Sequence, residues 1–144
     1  MTQKKILFIC TGNSCRSQMA EGFARVLGWN AFSAGVNPST QVNHNAVKVM
    51  DELSIDISRQ KTNSVDDYVK NNFDVVVTVC DHAKEQCPLF TGSCETRVHH
   101  SFHDPYDATG SPSEILSVYR EVRDQIYNWL KMFTQMELSD YAKK

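Results

Sequence analysis

The feature that most constrains the fold is a junction near the N-terminus. The apolar run Ile6-Leu7-Phe8-Ile9 ends on Cys10, and the short loop Thr11-Gly12-Asn13-Ser14-Cys15-Arg16 leads into an amphipathic stretch from Ser17. An apolar run without alternation reads as a strand covered on both faces, as in a parallel sheet. Met19, Ala20, Phe23, Ala24 and Leu27 then recur at helical spacing, and Gly28 reads as the stop. Strand, tight loop and helix in that order aim consecutive backbone N–H groups and a helix N-terminus at one point beside the Cys10 sulfur. Such a point suits a tetrahedral oxyanion of the phosphate or arsenate type.

The residues of the loop fit that chemistry. Cys10 is the candidate nucleophile, which acts as a thiolate, a form that a helix N-terminus and a guanidinium favour. Arg16 is placed to return to the loop mouth and grip two oxygens through its planar fork, which Lys does not reproduce. Ser17 is a donor for the sulfur, Gly12 permits close backbone approach, and Asn13 tolerates a left-handed conformation while its amide pins the loop. Thr11, Gly12, Asn13, Ser14, Cys15, Arg16 and Ser17 together form the expected oxyanion cradle. The competing reading makes Cys10 a buried strand-end cysteine and Arg16 a surface cation.

Composition narrows the class. The 144 residues, 41% of them hydrophobic, suit one domain with a real core. A net charge of -2 excludes an electrostatic case for nucleic acid or an anionic membrane, so anion affinity must be local. Lys4 and Lys5 precede an apolar run too short for a signal peptide, and no stretch is long enough to span a bilayer. Five cysteines in such a chain are expected as catalytic or redox thiols in a reducing cytoplasm rather than as structural disulfides.

Along the chain, strands are expected over 4–10, 31–34, 74–79 and 97–102, and helices over 17–27, 43–53 and 65–70. Ser64 is an N-cap for the last of these, and His44 a surface or cap residue. Ser111-Pro112-Ser113-Glu114 is a capping box with Pro at the first helical position, opening a long helix lined by Ile115, Tyr119, Val122, Ile126, Trp129, Leu130 and Phe133. The domain is expected to occupy 1–136, with a frayed tail over 137–144. Alternating strands and helices predict a single doubly wound α/β domain: a central four-stranded parallel sheet flanked by helices, with its site at the strand C-termini.

A second constellation lies downstream. Cys80 ends the third strand on the same sheet edge as Cys10, and Cys87 follows seven positions later in 81–95, which reads as a partly helical loop. Two thiols there offer a relay; buried hydrophobic cysteines are the alternative. Cys87, Cys94, His99, His100 and His103 cluster without a tight Cys pair, and adjacent His99 and His100 face opposite sides of a strand, so no metal site is expected. Asp104, before Pro105, is the candidate general acid, and Asp107 a weaker one.

The run Cys10 to Ser17 with Gln18-Met19-Ala20-Glu21-Gly22 resembles the signature of the low-molecular-weight protein tyrosine phosphatase superfamily, most closely its thioredoxin-coupled arsenate reductase branch. Ser33-Ala34-Gly35, Asn45-Ala46-Val47, Ile55-Asp56-Ile57-Ser58, Val76-Val77-Thr78-Val79-Cys80, Cys87-Pro88 and Asp104-Pro105 extend the resemblance over nearly the whole chain. It implies a phosphatase-type anion loop after strand 1 and arsenate reduction to arsenite, with phosphate or sulfate as competing anions. It also implies a Cys10-Cys80-Cys87 relay, no bound cofactor, electrons from thioredoxin or another thiol reductant, and a monomer. Cys94 has no counterpart in the pattern. Some reductases of this type hold potassium with Asn, Glu, Ser and Asp; Asn13, Glu21 and Ser33 match, and Asn63 stands where the Asp falls. Asp104-Pro105-Tyr106 matches the phosphatases and supports a tyrosine phosphatase alternative using Cys10, Arg16 and Asp104. A non-enzymatic redox- or arsenic-sensing thiol protein is the third alternative.

Overall fold

The first strand, β1 (Lys5–Cys10), forms where the apolar run dictates, and Ile6 to Ile9 are fully buried. The computed structural model describes residues 3–81 and 90–142. β1 is followed by α1 (Arg16–Val26), β2 (Asn30–Gly35), α2 (His44–Asp51), a 3-10 turn (Val65–Asp67), β3 (Asn72–Thr78), β4 (Ser93–His99), a second 3-10 turn (Pro105–Asp107) and α3 (Pro112–Ala142). The sheet is wholly parallel, in the order β2-β1-β3-β4. The chain leaves β1 for one neighbour, β2, and later returns on its other side as β3. The crevice between the C-terminal ends of β1 and β3 is therefore the switch point where a doubly wound sheet binds ligands.

The two faces of the sheet are covered unequally. Ile6, Phe8, Val75 and Val77 face Met19 and Phe23 of α1, Val49 and Met50 of α2, and Tyr119, Val122, Ile126 and Leu130 of α3. Leu7, Ile9 and Val76 face a smaller cluster containing Val65, Phe73 and Phe90. Phe32, Tyr68, Phe73 and Phe90 meet edge to face there, with centroids 5.7–6.0 Å apart. The three α-helices of the described residues thus pack on one side.

Most elements lie within two residues of their expected places, and three differ. β4 runs from Ser93, not from 97, so Cys94 and Glu95 belong to a strand and not to the loop expected over 81–95. Its residues alternate between exposed and half-buried at the sheet edge, so the apolar signal is weak. The helix expected over 65–70 is a single 3-10 turn, although Ser64 is its N-cap as expected and forms a capping box with Asp67. α3 stays helical to Ala142, beyond the point where fraying was expected. Its start is as read: the Ser111 N–H donates to Glu114 Oε1 and the Glu114 N–H to Ser111 Oγ. His44 opens α2, exposed, after Asn43, whose side chain accepts from the N–H groups of Asn45 and Ala46.

Candidate functional site

The loop after β1 is held inside out. Its carbonyl oxygens point away from the crevice and each is paired: Thr11 O accepts from the Asn37 N–H at 3.0 Å, Gly12 O from the Ser39 N–H at 2.9 Å, and Ser14 O from the Asn43 N–H at 2.9 Å. Asn13 O accepts from Gln18 Nε2 at 2.9 Å. With its acceptors turned outward and satisfied, the loop is left to face the crevice with its donors. Asn13 makes the turn with φ of 50°. At the end of β2, Gly35 lets the loop lie against the sheet, because a Cβ there would sit 2.6 Å from Thr11 O. Behind the loop, α1 begins with no side-chain cap and no acidic residue in its first turn, so its dipole acts on whatever anion the crevice holds. The polar stretch after Gly35 is the strap that orients the cradle, and because it works through backbone N–H groups it has no side-chain signature.

Cys10, 2% exposed, sits at the floor of a cavity of about 370 Å³ that Thr11, Gly12, Ser14, Cys15, Arg16 and Asp104 also line. The Asn13 N–H donates to the sulfur at 3.2 Å and Ser17 Oγ lies 2.8 Å from it. Asn13 Nδ2 donates to Ser17 Oγ at 2.8 Å, which turns the serine's own hydrogen toward the sulfur. Asn13 and Ser17, grouped by sequence with the oxyanion cradle, do not line the cavity; they are fully buried and their side chains serve the nucleophile from behind. The Arg16 guanidinium reaches the crevice and is steadied there, donating to Phe102 O at 3.2 Å and to Asp104 Oδ2 at 3.3 Å. Asp104 Oδ1 accepts from the Tyr106 N–H, fixing the carboxylate at the start of its 3-10 turn. Asp107, His103 and the exposed Tyr106 complete the rim.

The other thiols separate clearly. Cys15 Sγ turns from the anion position toward Tyr119 Oη and Ser14 Oγ, each 3.7 Å away, and burial pushes its thiol up to about 12. Tyr119, not singled out from sequence except as core, has its phenol raised by burial and by Cys15. Cys80 is fully buried and disulfide-bonded, its Sγ 3.7 Å from the carbonyl oxygen of Ile9, the residue before Cys10. Cys87 lies outside the described residues. Cys94 is a free, half-buried thiol on β4. His100 stacks on Phe102 and meets Trp129 edge-on, while His99 Nδ1 pairs with Thr78 Oγ1.

The residues matching a potassium set are adjacent but do not fit a cation. Glu21 Oε1 accepts from Ser33 Oγ at 2.6 Å and Oε2 from Arg25 Nη2 at 2.7 Å. Ser33 Oγ accepts from Asn13 Nδ2 at 2.9 Å, Asn13 Oδ1 accepts from the Asn63 N–H at 2.8 Å, and Asn63 Nδ2 donates to Ser33 O and Lys61 O. Among the described residues no buried side-chain nitrogen or oxygen lacks a partner, and the one carboxylate of the set already has a guanidinium on it.

Comparison with known proteins agrees with this geometry. The family model described as low molecular weight phosphotyrosine protein phosphatase matches residues 5–141. An arsenate reductase of Halalkalibacterium halodurans is 47% identical over 138 residues, covering 94% of this chain and 98% of the relative. Two solved structures superpose over 92% of this chain and 98% of their own. One is described as an arsenate reductase in the phosphate binding state (TM-score 0.78, 32% identity), the other as an arsenate reductase in oxidized state (TM-score 0.76, 31% identity).

Proposed function

Because this chain belongs to the low molecular weight phosphotyrosine protein phosphatase family, we propose that it is an arsenate reductase, with Cys10 as nucleophile and Cys80 and Cys87 as a thiol relay emptied by thioredoxin. The observation that carries the reading is the pairing of two cysteines at the switch point. Cys10 is a free thiol under an oxyanion cradle, and Cys80, engaged in a disulfide, lies against the backbone of Ile9, the residue before Cys10. A hydrolase needs only the first. The relatives named as arsenate reductases at up to 47% identity support the same choice.

The chemistry follows from the residues. The Cys10 thiolate attacks As(V), forming an arsenic–sulfur bond while an arsenic–oxygen bond breaks; Arg16 and the loop N–H groups hold the remaining oxygens, and Asp104 gives the departing oxygen its proton. The Cys80 thiolate then attacks the Cys10 sulfur. A sulfur–sulfur bond forms, the arsenic–sulfur bond breaks, and its electron pair stays on arsenic, which leaves as arsenite. The Cys87 thiolate attacks Cys80, releasing the Cys10 thiolate and leaving a Cys80–Cys87 disulfide. A thioredoxin dithiol reduces that bond, so two electrons enter for each arsenate reduced. Cys10 is too deep for a protein reductant, and the relay carries oxidation outward. The setting is a reducing cytoplasm, the enzyme works as a monomer, and phosphate or sulfate competes for the cradle. Among the described residues no helix is long and apolar enough to cross a membrane.

The test is arsenate-dependent NADPH consumption by purified protein supplied with thioredoxin and thioredoxin reductase. Turnover in wild type and none in Cys80→Ser supports the reading; no arsenate-dependent consumption contradicts it. One observation favours a second activity, phosphomonoester hydrolysis: Tyr106, 68% exposed beside Asp104, is an aromatic surface at the mouth of the cavity. If Cys80→Ser hydrolyses an aryl phosphate faster than wild type reduces arsenate, the phosphatase assignment replaces the first.

A further inference from the structure

We propose that Arg25 is a positioning residue for Cys10, its guanidinium taking the place of a potassium ion and bracing Asn13 along two hydrogen-bond chains. The inference rests on the reading of Cys10 as nucleophile. Along the first chain, Arg25 Nη2 donates to Glu21 Oε2, Glu21 Oε1 accepts from Ser33 Oγ, and Ser33 Oγ accepts from Asn13 Nδ2. Along the second, Arg25 Nη1 donates to Gln60 Oε1 at 2.9 Å, Gln60 Nε2 to Gln18 Oε1 at 2.8 Å, and Gln18 Nε2 to Asn13 O at 2.9 Å. One guanidinium therefore reaches both the side chain and the carbonyl of the residue that makes the left-handed turn. Every donor in the second chain points the same way, so each bond polarises the next.

The consequence falls on the nucleophile. Asn13 gives its backbone N–H to Cys10 Sγ and its amide to Ser17 Oγ, whose hydroxyl faces the same sulfur. Glu21 is 7% exposed, and a carboxylate so buried needs a counter-charge. Arg25, half exposed at the helix surface, supplies it at 2.7 Å. A monovalent cation added to the same carboxylate would meet the guanidinium, and Asn13 Oδ1 and Ser33 O already accept from the N–H and from Nδ2 of Asn63. The enzyme is accordingly indifferent to potassium.

The experiment reads the sulfur directly. The reduced full-length protein is treated with iodoacetamide at one neutral pH, in potassium chloride and in tetramethylammonium chloride of equal ionic strength, with and without inorganic phosphate. Modification of Cys10 is followed by mass spectrometry. We expect Arg25→Ala to slow modification about fivefold, Arg25→Lys to recover most of the loss, and wild type to react equally in both salts. Gln60→Ala slows it about twofold and adds nothing in the Arg25→Ala background, since both chains start at Arg25. The concentration of phosphate that protects Cys10 stays the same, because the strap holds the Thr11, Gly12 and Ser14 carbonyls through bonds that do not run through Arg25.

Wild-type reactivity in Arg25→Ala, additive losses in the double variant, or faster reaction of wild type in potassium overturns the proposal. Loss of phosphate protection in step with reactivity also overturns it, as a purely structural role. Should Arg25→Ala fail to fold, Arg25→Lys and Gln60→Ala carry the same comparison. Arsenate is absent from this experiment, so failure of the arsenate reductase reading would appear only in the turnover assay.

Discussion

Cys10 and Cys15 stand at the two ends of one loop, are both free, and are 2% and 3% exposed, yet their surroundings are opposite. The Cys10 sulfur receives a backbone N–H and faces a hydroxyl whose hydrogen is turned to it by Asn13. The Cys15 sulfur has two longer contacts, to Tyr119 and Ser14, and burial holds it as a neutral thiol with its titration pushed up to about 12. Burial alone therefore does not make a cysteine inert or reactive. What decides is whether the fold aims donors at the sulfur.

Removing each thiol in turn is the strongest way to break that comparison. Cys10→Ser should lower arsenate turnover by at least about 10⁴-fold, and Cys15→Ala by no more than a few-fold, measured as kcat/KM in the coupled assay. Equal losses would mean that Cys15 shares the chemistry. A subtler change makes Cys10 more like Cys15: Ser17→Ala deletes the hydroxyl and leaves the loop donors in place. It should cut kcat about tenfold while the inhibition constant for phosphate changes little, and a parallel weakening of phosphate would place Ser17 in the cradle instead.

The smallest effect is on stability at high pH. Below about pH 8.5 the Cys15 thiol is protonated in the folded and the unfolded chain, and its contribution does not vary. Above that, the unfolded thiol ionises while the buried one keeps its proton up to about 12, so stability falls as pH rises through that window. The loss is on the order of 2–4 kcal/mol, with Tyr119 adding to it in the same direction at its upper end. Urea unfolding from pH 8 to 11 should show a shallower decline for Cys15→Ala than for wild type.

The contrast between the two cysteines was only half legible in the sequence. The strand, loop and helix that place Cys10 and Arg16 announce themselves through an unbroken apolar run, a run of small residues and a helical period. The N-cap at Ser64 and the capping box at Ser111 were equally plain. The strap over Asn37, Ser39 and Asn43 was not, because backbone amides act there and the identities of the side chains carry no trace of it. The bracing roles of Gln18 and Gln60 were hidden for a related reason: Gln18 belongs to the signature run and Gln60 to an ordinary loop, and nothing marks them as partners until the fold lines them up. β4 was misplaced by four residues since an edge strand with alternating charged positions lacks the apolar signature that marked β1 and β3. Cys15 and Tyr119 are far apart in the chain, and no local pattern predicts that one will bury the other.

The relay itself is tested most directly by mapping its disulfides. Cys87→Ser, treated with one equivalent of arsenate and no reductant, should release one equivalent of arsenite and stop with Cys10 joined to Cys80. Wild type under the same conditions should yield Cys80 joined to Cys87, with Cys10, Cys15 and Cys94 all recovered as free thiols. A disulfide from Cys80 or Cys10 to Cys94, or continued turnover of Cys87→Ser with thioredoxin, would contradict the account.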